Sequence, residues 1–154
     1  MKQFRIFVGL DVHKDSISIA VAQQGREPAK FLGTVPTDLA RLKRKLAPLG
    51  KPEELQICYE AGPTGYGLYR SLSKLDYSVL VIAPSKTPRK AADRVKTDRR
   101  DAERLAHFLR SGDLSSIRVP TAHEEEIRNL FRVREDAKNA ERSARRQLGS
   151  FLLR

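Results

Sequence analysis

The chain has 154 residues, 40% of them apolar, which suits one domain of common size with a real core plus an appendage. Its formal charge of +11 and pI near 10.2 make a polyanion the first partner to consider. One cysteine, Cys58, excludes an intrachain disulfide and a multi-cysteine zinc site, and no apolar run approaches the roughly 18 residues of a membrane span.

The N-terminal MKQFRIFVGLDVHKD has a short apolar run broken by Arg5 and followed by charges, which is not a signal peptide. A cytoplasmic protein is the simplest reading. FRIFVGLDV places Phe4, Ile6, Val8, Leu10 and Val12 on one face with more apolar residues between them, as a central strand buried on both sides requires. HKD then turns, SISIAVA alternates Ile17, Ile19 and Val21 with small residues, GREP turns again and AKFLGTV makes a third strand. The spacing predicts an antiparallel meander. From Thr37 to Leu49, Leu39, Leu42, Leu46 and Leu49 recur at helical intervals, with PTD as a start signal and PLGKP as a stop.

A strand in ELQICYEAG, a helix in TGYGLYRSLSKL and a strand in YSVLVIAP follow. Strand, helix, strand at this spacing is a βαβ crossover with parallel strands, so the whole sheet is mixed. After APSKTP come helical residues around Ala91, a helix in TDRRDAERLAHFLRSG ended by Gly112, and a short SIRVP segment. Residues 123–154 read as one long helix with the stripe Ile127, Leu130, Val133, Ala137, Ala140, Ala144, Leu148 and Phe151. That stripe is narrow and runs to the last residues without a cap, as half of a helical pairing would, so the chain reads as the front piece of something longer.

Carboxylates stand out against this basic background. Asp98 and Asp101 are three residues apart, so on a helix they share a face with Cβ atoms about 5–6 Å apart. An amphipathic helix with acidic first-turn residues and Thr97 as its cap accounts for them without any function. Ala102, Leu105, Ala106 and Leu109 form its apolar stripe, and Arg99, Arg100 and Arg104 are expected mostly off the carboxylate face. Asp11 and Glu60, however, each end a strand. If the strand after the helix pairs beside the first and parallel to it, both acids emerge at the C-terminal edge of the sheet, where ligand sites in such sheets gather. With Asp98 and Asp101 packed over that edge, four acids converge. Like charges at 4 Å repel by about 4 kcal/mol at an effective dielectric near 20, and a divalent cation resolves the conflict. Oxygen-only ligands select Mg²⁺ or Mn²⁺ over zinc, and a pair of such ions suits in-line displacement at phosphorus.

Between Lys86 and Arg100 stand seven basic residues against Asp93 and Asp98. The run is either a solvated surface or a phosphate-binding stretch, and its place directly before the aspartates favours the second. Lys86, Arg89, Lys90, Lys96, Arg99 and Arg100 are the candidate backbone contacts, chosen by charge and position; such contacts give affinity without reading sequence.

VGLDVHKDSISIAV, YEAGPTGYGLYRSL, VIAPSKTPR and KTDRRDAERLA together resemble the N-terminal RuvC-like domain of the DEDD transposases, the Piv-like recombinases of bacterial insertion sequences that include bridge-RNA-guided enzymes. The resemblance covers almost the whole chain, with four motifs in order. It implies an α/β RNase H-like fold over residues 1–120, a mixed five-stranded sheet flanked by helices, and a coiled-coil region starting in a long helix at 121–154. It implies that Asp11, Glu60, Asp98 and Asp101 bind Mg²⁺ or Mn²⁺, that DNA and a structured guide RNA are partners, that the C-terminal helix builds a homo-oligomer, and that the protein is nucleoid-associated. A C-terminal domain whose serine attacks DNA is also implied; no serine here has the setting of a nucleophile, so the fragment is not expected to recombine DNA alone. A stand-alone RuvC-like nuclease or junction resolvase, and a non-catalytic nucleic-acid-binding module, are the alternatives.

Other residues carry less. His13, His107 and His123 lack metal-ligand spacing, although His13 is near enough to Asp11 to approach the site. Asp15 reads as a turn residue. Cys58 reads as packed inside the sheet, and Tyr59, Tyr66 and Tyr69 are explained by a strand and a helix face as well as by base stacking.

Overall fold

The computed structural model describes residues 4–62, 64–86 and 97–153, which divide into two units, Met1–Arg118 and Val119–Arg154. In the first unit the strands β1 (Ile6–Val12), β2 (Ser16–Gln23) and β3 (Lys30–Pro36) form the expected meander, with β1 antiparallel to β2 and β2 to β3. The strands β4 (Leu55–Glu60) and β5 (Ser78–Ile82) run parallel to each other, and β4 runs parallel to β1. The sheet order is β3-β2-β1-β4-β5, so β1 is central and buried on both faces, as its nearly unbroken apolar sequence requires. This is a mixed five-stranded α/β sheet of RNase H-like kind.

Two faces can be assigned from the alternation of side chains along β1. Gly9 looks toward the helix α3 (Asp98–Ser111), because a Cβ at Gly9 would overlap the Ala102 carbonyl oxygen, the Ala106 nitrogen and Leu105 Cβ. Ala20 and Ala22 on β2 pack on Ala102 and Ala106, while Cys58 and Ile82 pack on Leu105 and Leu109. Small residues on both sides thus let α3 settle directly on the sheet backbone. Val8 and Leu10 fill the opposite face and are fully buried. The helix α1 (Leu39–Leu46) lies on that side, since Lys45 Nζ sits 3.9 Å from a Cβ built at Gly33, whose β2 partner Ile19 is itself paired with Leu10.

Local signals match their elements. Asp38 caps α1 by accepting from the Arg41 amide at 2.8 Å, and a 3-10 turn over Ala47–Leu49 completes the expected segment. Thr97 caps α3 by accepting from the Arg100 amide at 3.3 Å, and Gly112 ends it in the left-handed conformation at φ 79°. The helix α2 (Gly67–Ser73) makes the crossover between β4 and β5; the Tyr69 amide donates to the Tyr59 hydroxyl at 3.2 Å, a structural job for that buried ring. The SIRVP segment reaches β5 through the Ile117 amide, which donates to the Val81 carbonyl at 2.8 Å. The helical residues expected around Ala91 lie outside the described residues.

The second unit is the helix α4 (Ala122–Leu152), opened by a capping box in which Thr121 accepts from the Glu124 amide and the Glu124 carboxylate from the Thr121 amide. Leu130, Val133, Leu148 and Phe151 of its stripe are exposed. No helix among the described residues is long and apolar enough to cross a membrane.

Candidate functional site

Asp11 is the penultimate residue of β1, on the same side of the strand as Gly9, so its side chain leaves the sheet on the α3 side at the C-terminal edge. α3 runs against β1: its far end reaches back to the start of the meander, where the Arg110 guanidinium donates to the Gln23 and Glu27 carbonyls. Its first turn is therefore left at the edge where Asp11 emerges. There Asp11, His13 and Asp98 each bring a ligand atom within 4.8 Å of the others.

His13 holds the group together. Its Nε2 is 3.0 Å from Asp11 Oδ2 and 3.5 Å from Asp98 Oδ1. The turn that carries it is tied down twice: the His13 amide donates to the Ser16 carbonyl at 2.8 Å, and the Thr37 hydroxyl donates to the His13 carbonyl at 3.1 Å. Burial raises the Asp11 pKa above the usual carboxylate value of 3.8; the His13 charge and hydrogen bond oppose that shift, and Asp101 and Asp98 add to it. The nearby Asp11 charge and its hydrogen bond, in turn, raise the His13 pKa above 6.5. The half-buried Asp11 carboxyl thus sits among other carboxylates with the His13 imidazole hydrogen-bonded to it.

The sequence-derived acids are not equally close. Asp11 and Asp98 meet; Asp101 acts on Asp11 through its charge but does not join the 4.8 Å group. Its carboxylate is held at 2.8 Å by Arg104, an exception among three arginines that were expected mostly off the carboxylate face. One helical turn separates the two, and that spacing brings them together. Glu60 ends β4 two residues beyond Cys58, whose thiol donates to the Leu105 carbonyl of α3, so Glu60 projects from the same face and edge as Asp11. It too stands outside the 4.8 Å group. His13 is the residue that sequence reasoning undervalued. Extending the alternation of β1 through Gly9 and Asp11 puts residue 13 on the same side, a signal that the search for metal-ligand spacing passed over. An imidazole thus stands beside the carboxylates, hydrogen-bonded to Asp11.

Among the described residues, Asp11, His13 and Asp98 lie close enough together to hold a metal ion, and their two carboxylates suit a hard divalent one. Of the basic candidates, Arg99 is exposed, pairs with Glu103 at 3.0 Å and lies 5.6 Å over the Phe31 ring. Arg100 is exposed in the same turn. Arg89, Lys90 and Lys96 lie outside the described residues, as does the Lys86 side chain. Cys58 is fully buried, and burial pushes its thiol pKa far up, so it supplies no ligand or nucleophile.

A family model described as a transposase of the DEDD, IS110 type matches residues 8–154. Over 150 residues, 96% of this chain and 38% of the relative, the chain is 45% identical to a putative transposase, y4qE, of Sinorhizobium fredii. It is 34% identical over 152 residues to the transposase for insertion sequence element IS1533 of Leptospira borgpetersenii, covering 97% of this chain and 44% of that protein. The chain thus spans less than half the length of the curated relatives it matches.

Proposed function

The chain belongs to the IS110-type DEDD transposase family, and from that premise we propose that it is the metal-binding catalytic part of an insertion-sequence DNA transposase acting on DNA phosphodiesters. Residues 1–120 form the RuvC-like catalytic domain in this reading and 121–154 the start of a coiled-coil region through which copies associate. A serine-bearing domain outside this chain supplies the nucleophile. The observation that carries the proposal is the convergence of Asp11, His13 and Asp98 within 4.8 Å at the C-terminal edge of the central strand.

Asp11, Asp98, Asp101 and Glu60 are the proposed ligands of Mg²⁺ or Mn²⁺. Bound there, the ion supplies charge stabilisation to the attacking and leaving oxygens of a displacement at phosphorus. The protein's share is orientation. Asp11 is fixed by a central strand, Asp98 and Asp101 by a capped first turn, and His13 holds the Asp11 carboxylate in place by its hydrogen bond. Arg104 partly neutralises Asp101 before the ion arrives. Lys86, Arg89, Lys90, Lys96, Arg99 and Arg100, next to the acids in sequence, fit contacts to the backbone of DNA or of a guide RNA. α4 fits the oligomer through its exposed stripe, since a second helix would cover Leu130, Val133, Leu148 and Phe151.

Titration of Mn²⁺ against thermal melting tests the metal site. A ligand at about 100 times its dissociation constant adds about 2.7 kcal/mol, a rise of roughly 5–10 °C for a chain of this size. The rise should saturate in the wild type and vanish in Asp11→Asn. No rise, or an equal rise in the variant, refutes the assignment.

A further inference from the structure

α1 carries a charge pattern that the metal site does not use. Within Leu39–Leu46, Arg41, Lys43, Arg44 and Lys45 are basic and none is acidic. Leu42 and Leu46 are fully buried against the sheet, and all four cationic residues are exposed. At helical spacing, Arg44 stands opposite the buried leucines, Arg41 beside it, and Lys43 and Lys45 at the flanks. None of the four side chains makes an ion pair or hydrogen bond among the described residues. A cation or two in the last turn is what the helix dipole favours. Four unneutralised cations within five residues repel one another and exceed that need.

The placement gives the pattern meaning. α1 lies on the sheet face opposite α3, so this surface is separate from the helix that carries Arg99 and Arg100. Its N-terminal end nonetheless adjoins the acidic edge: Thr37, just before the cap Asp38, donates its hydroxyl to the His13 carbonyl at 3.1 Å and its amide to the Asp15 carbonyl at 3.2 Å. Lys14, exposed in the turn between those two residues, extends the positive surface to that edge. From there α1 runs about 12 Å along the sheet, a length over which a polynucleotide presents several phosphates.

We propose that the outer face of α1, through Arg41, Lys43, Arg44 and Lys45, is a second docking surface that grips the backbone of duplex DNA on the far side of the sheet and leads it to the acidic edge. The phosphates of a duplex are denser along its axis than those of a single strand, which suits four cations packed on one helix face. The inference rests on the nucleic-acid part of the function proposed above and not on its metal chemistry. An anionic membrane is the poorer match, because Leu39 is the one large apolar side chain α1 exposes.

Binding of the whole 154-residue chain to a short duplex DNA, and in parallel to a single-stranded RNA of equal length, is measured across salt concentrations in EDTA. The variant Arg41→Gln/Lys43→Gln/Arg44→Gln/Lys45→Gln leaves both buried leucines and the helix propensity in place. With duplex DNA its log–log salt slope should be shallower by about 3.6, because each of the four lost phosphate contacts removes about 0.9. Between about 50 and about 200 mM salt, affinity should then fall by roughly 150-fold less than in the wild type. A larger change with RNA than with duplex DNA overturns the assignment to DNA. Should the fourfold variant melt early, Lys43→Gln/Lys45→Gln serves in its place, with about half the change in slope. An unchanged slope overturns the proposal. So does an equal change on neutralising four exposed basic residues of α4, which would reduce the effect to net charge, or vesicle binding by α1 in preference to either nucleic acid. With metal excluded, these outcomes stand apart from the fate of the metal site, which the Mn²⁺ melting assay decides by itself.

Discussion

Gly9→Ala tests the packing that assembles the acidic edge. The added Cβ meets the Ala102 carbonyl and the Ala106 nitrogen, both backbone atoms of α3, and Leu105 Cβ as well, so no change of rotamer relieves the overlap. Such atom pairs settle near about 3.5 Å, so α3 must withdraw from β1 by on the order of 1 Å. That opens the layer in which Ala20, Ala22, Ala102 and Ala106 are fully buried. Overpacking costs about 1–3 kcal/mol, and a clash between two main chains belongs at the upper end. At about 3 kcal/mol the melting temperature should fall by roughly 6–12 °C. The same withdrawal carries Asp98 away from Asp11 and His13, so the Mn²⁺-induced rise should weaken together with stability. Thermal melting followed by circular dichroism, with EDTA and then with Mn²⁺, reads both effects. Gly67→Ala is the control, because a Cβ there meets nothing within 4 Å. If Gly9→Ala melts within about 2 °C of the wild type, a smaller change than even about 1 kcal/mol of overpacking produces, and still responds fully to Mn²⁺, α3 is not seated on β1 as argued.

Three further outcomes are expected. Metal-free Asp11→Asn should melt no lower than the wild type, since it removes a charge that burial disfavours and keeps an acceptor for His13; a clear drop in EDTA would contradict that account. The His13 pKa is raised on folding, so its stabilising contribution is full below its ordinary value of 6.5 and is lost as pH rises through the folded value. The advantage of the wild type over His13→Gln in EDTA should therefore shrink as pH rises above 6.5, and a constant difference would refute the pairing. Asp11, also raised, changes with the same sign from its ordinary 3.8 upward. Cys58 should resist thiol reagents in the native state and react on unfolding, because it is buried and its thiol is held protonated; rapid native labelling would show that α3 opens from the sheet.

Much of the fold was legible in local pattern. Alternation in SISIAVA, the caps Asp38 and Thr97, the stop at Gly112 and the strand–helix–strand spacing around α2 each depend on residues close together in the chain, and each corresponds to an element of the structure. The site was legible only as a set of chain positions. Asp11 and Glu60 could be assigned to strand ends, and Asp98 and Asp101 to one helical turn, because periodicity settles those matters.

By itself, then, the sequence determined the order of elements, the mixed sheet and a basic chain with acids at its strand ends. Tertiary packing decided which groups touch. The close seat of α3 on Gly9 puts Asp98, more than eighty residues away in the chain, beside Asp11, and the turn tied to Ser16 and Thr37 brings His13 between them. Packing also left Asp101 with Arg104 and exposed one whole basic face of α1 on the far side of the sheet. The physical reason is one of range. Hydrogen-bonded periodicity acts over a few residues, whereas the distances between charges are set by how closely a helix can approach a sheet, which depends on small residues distant in the chain.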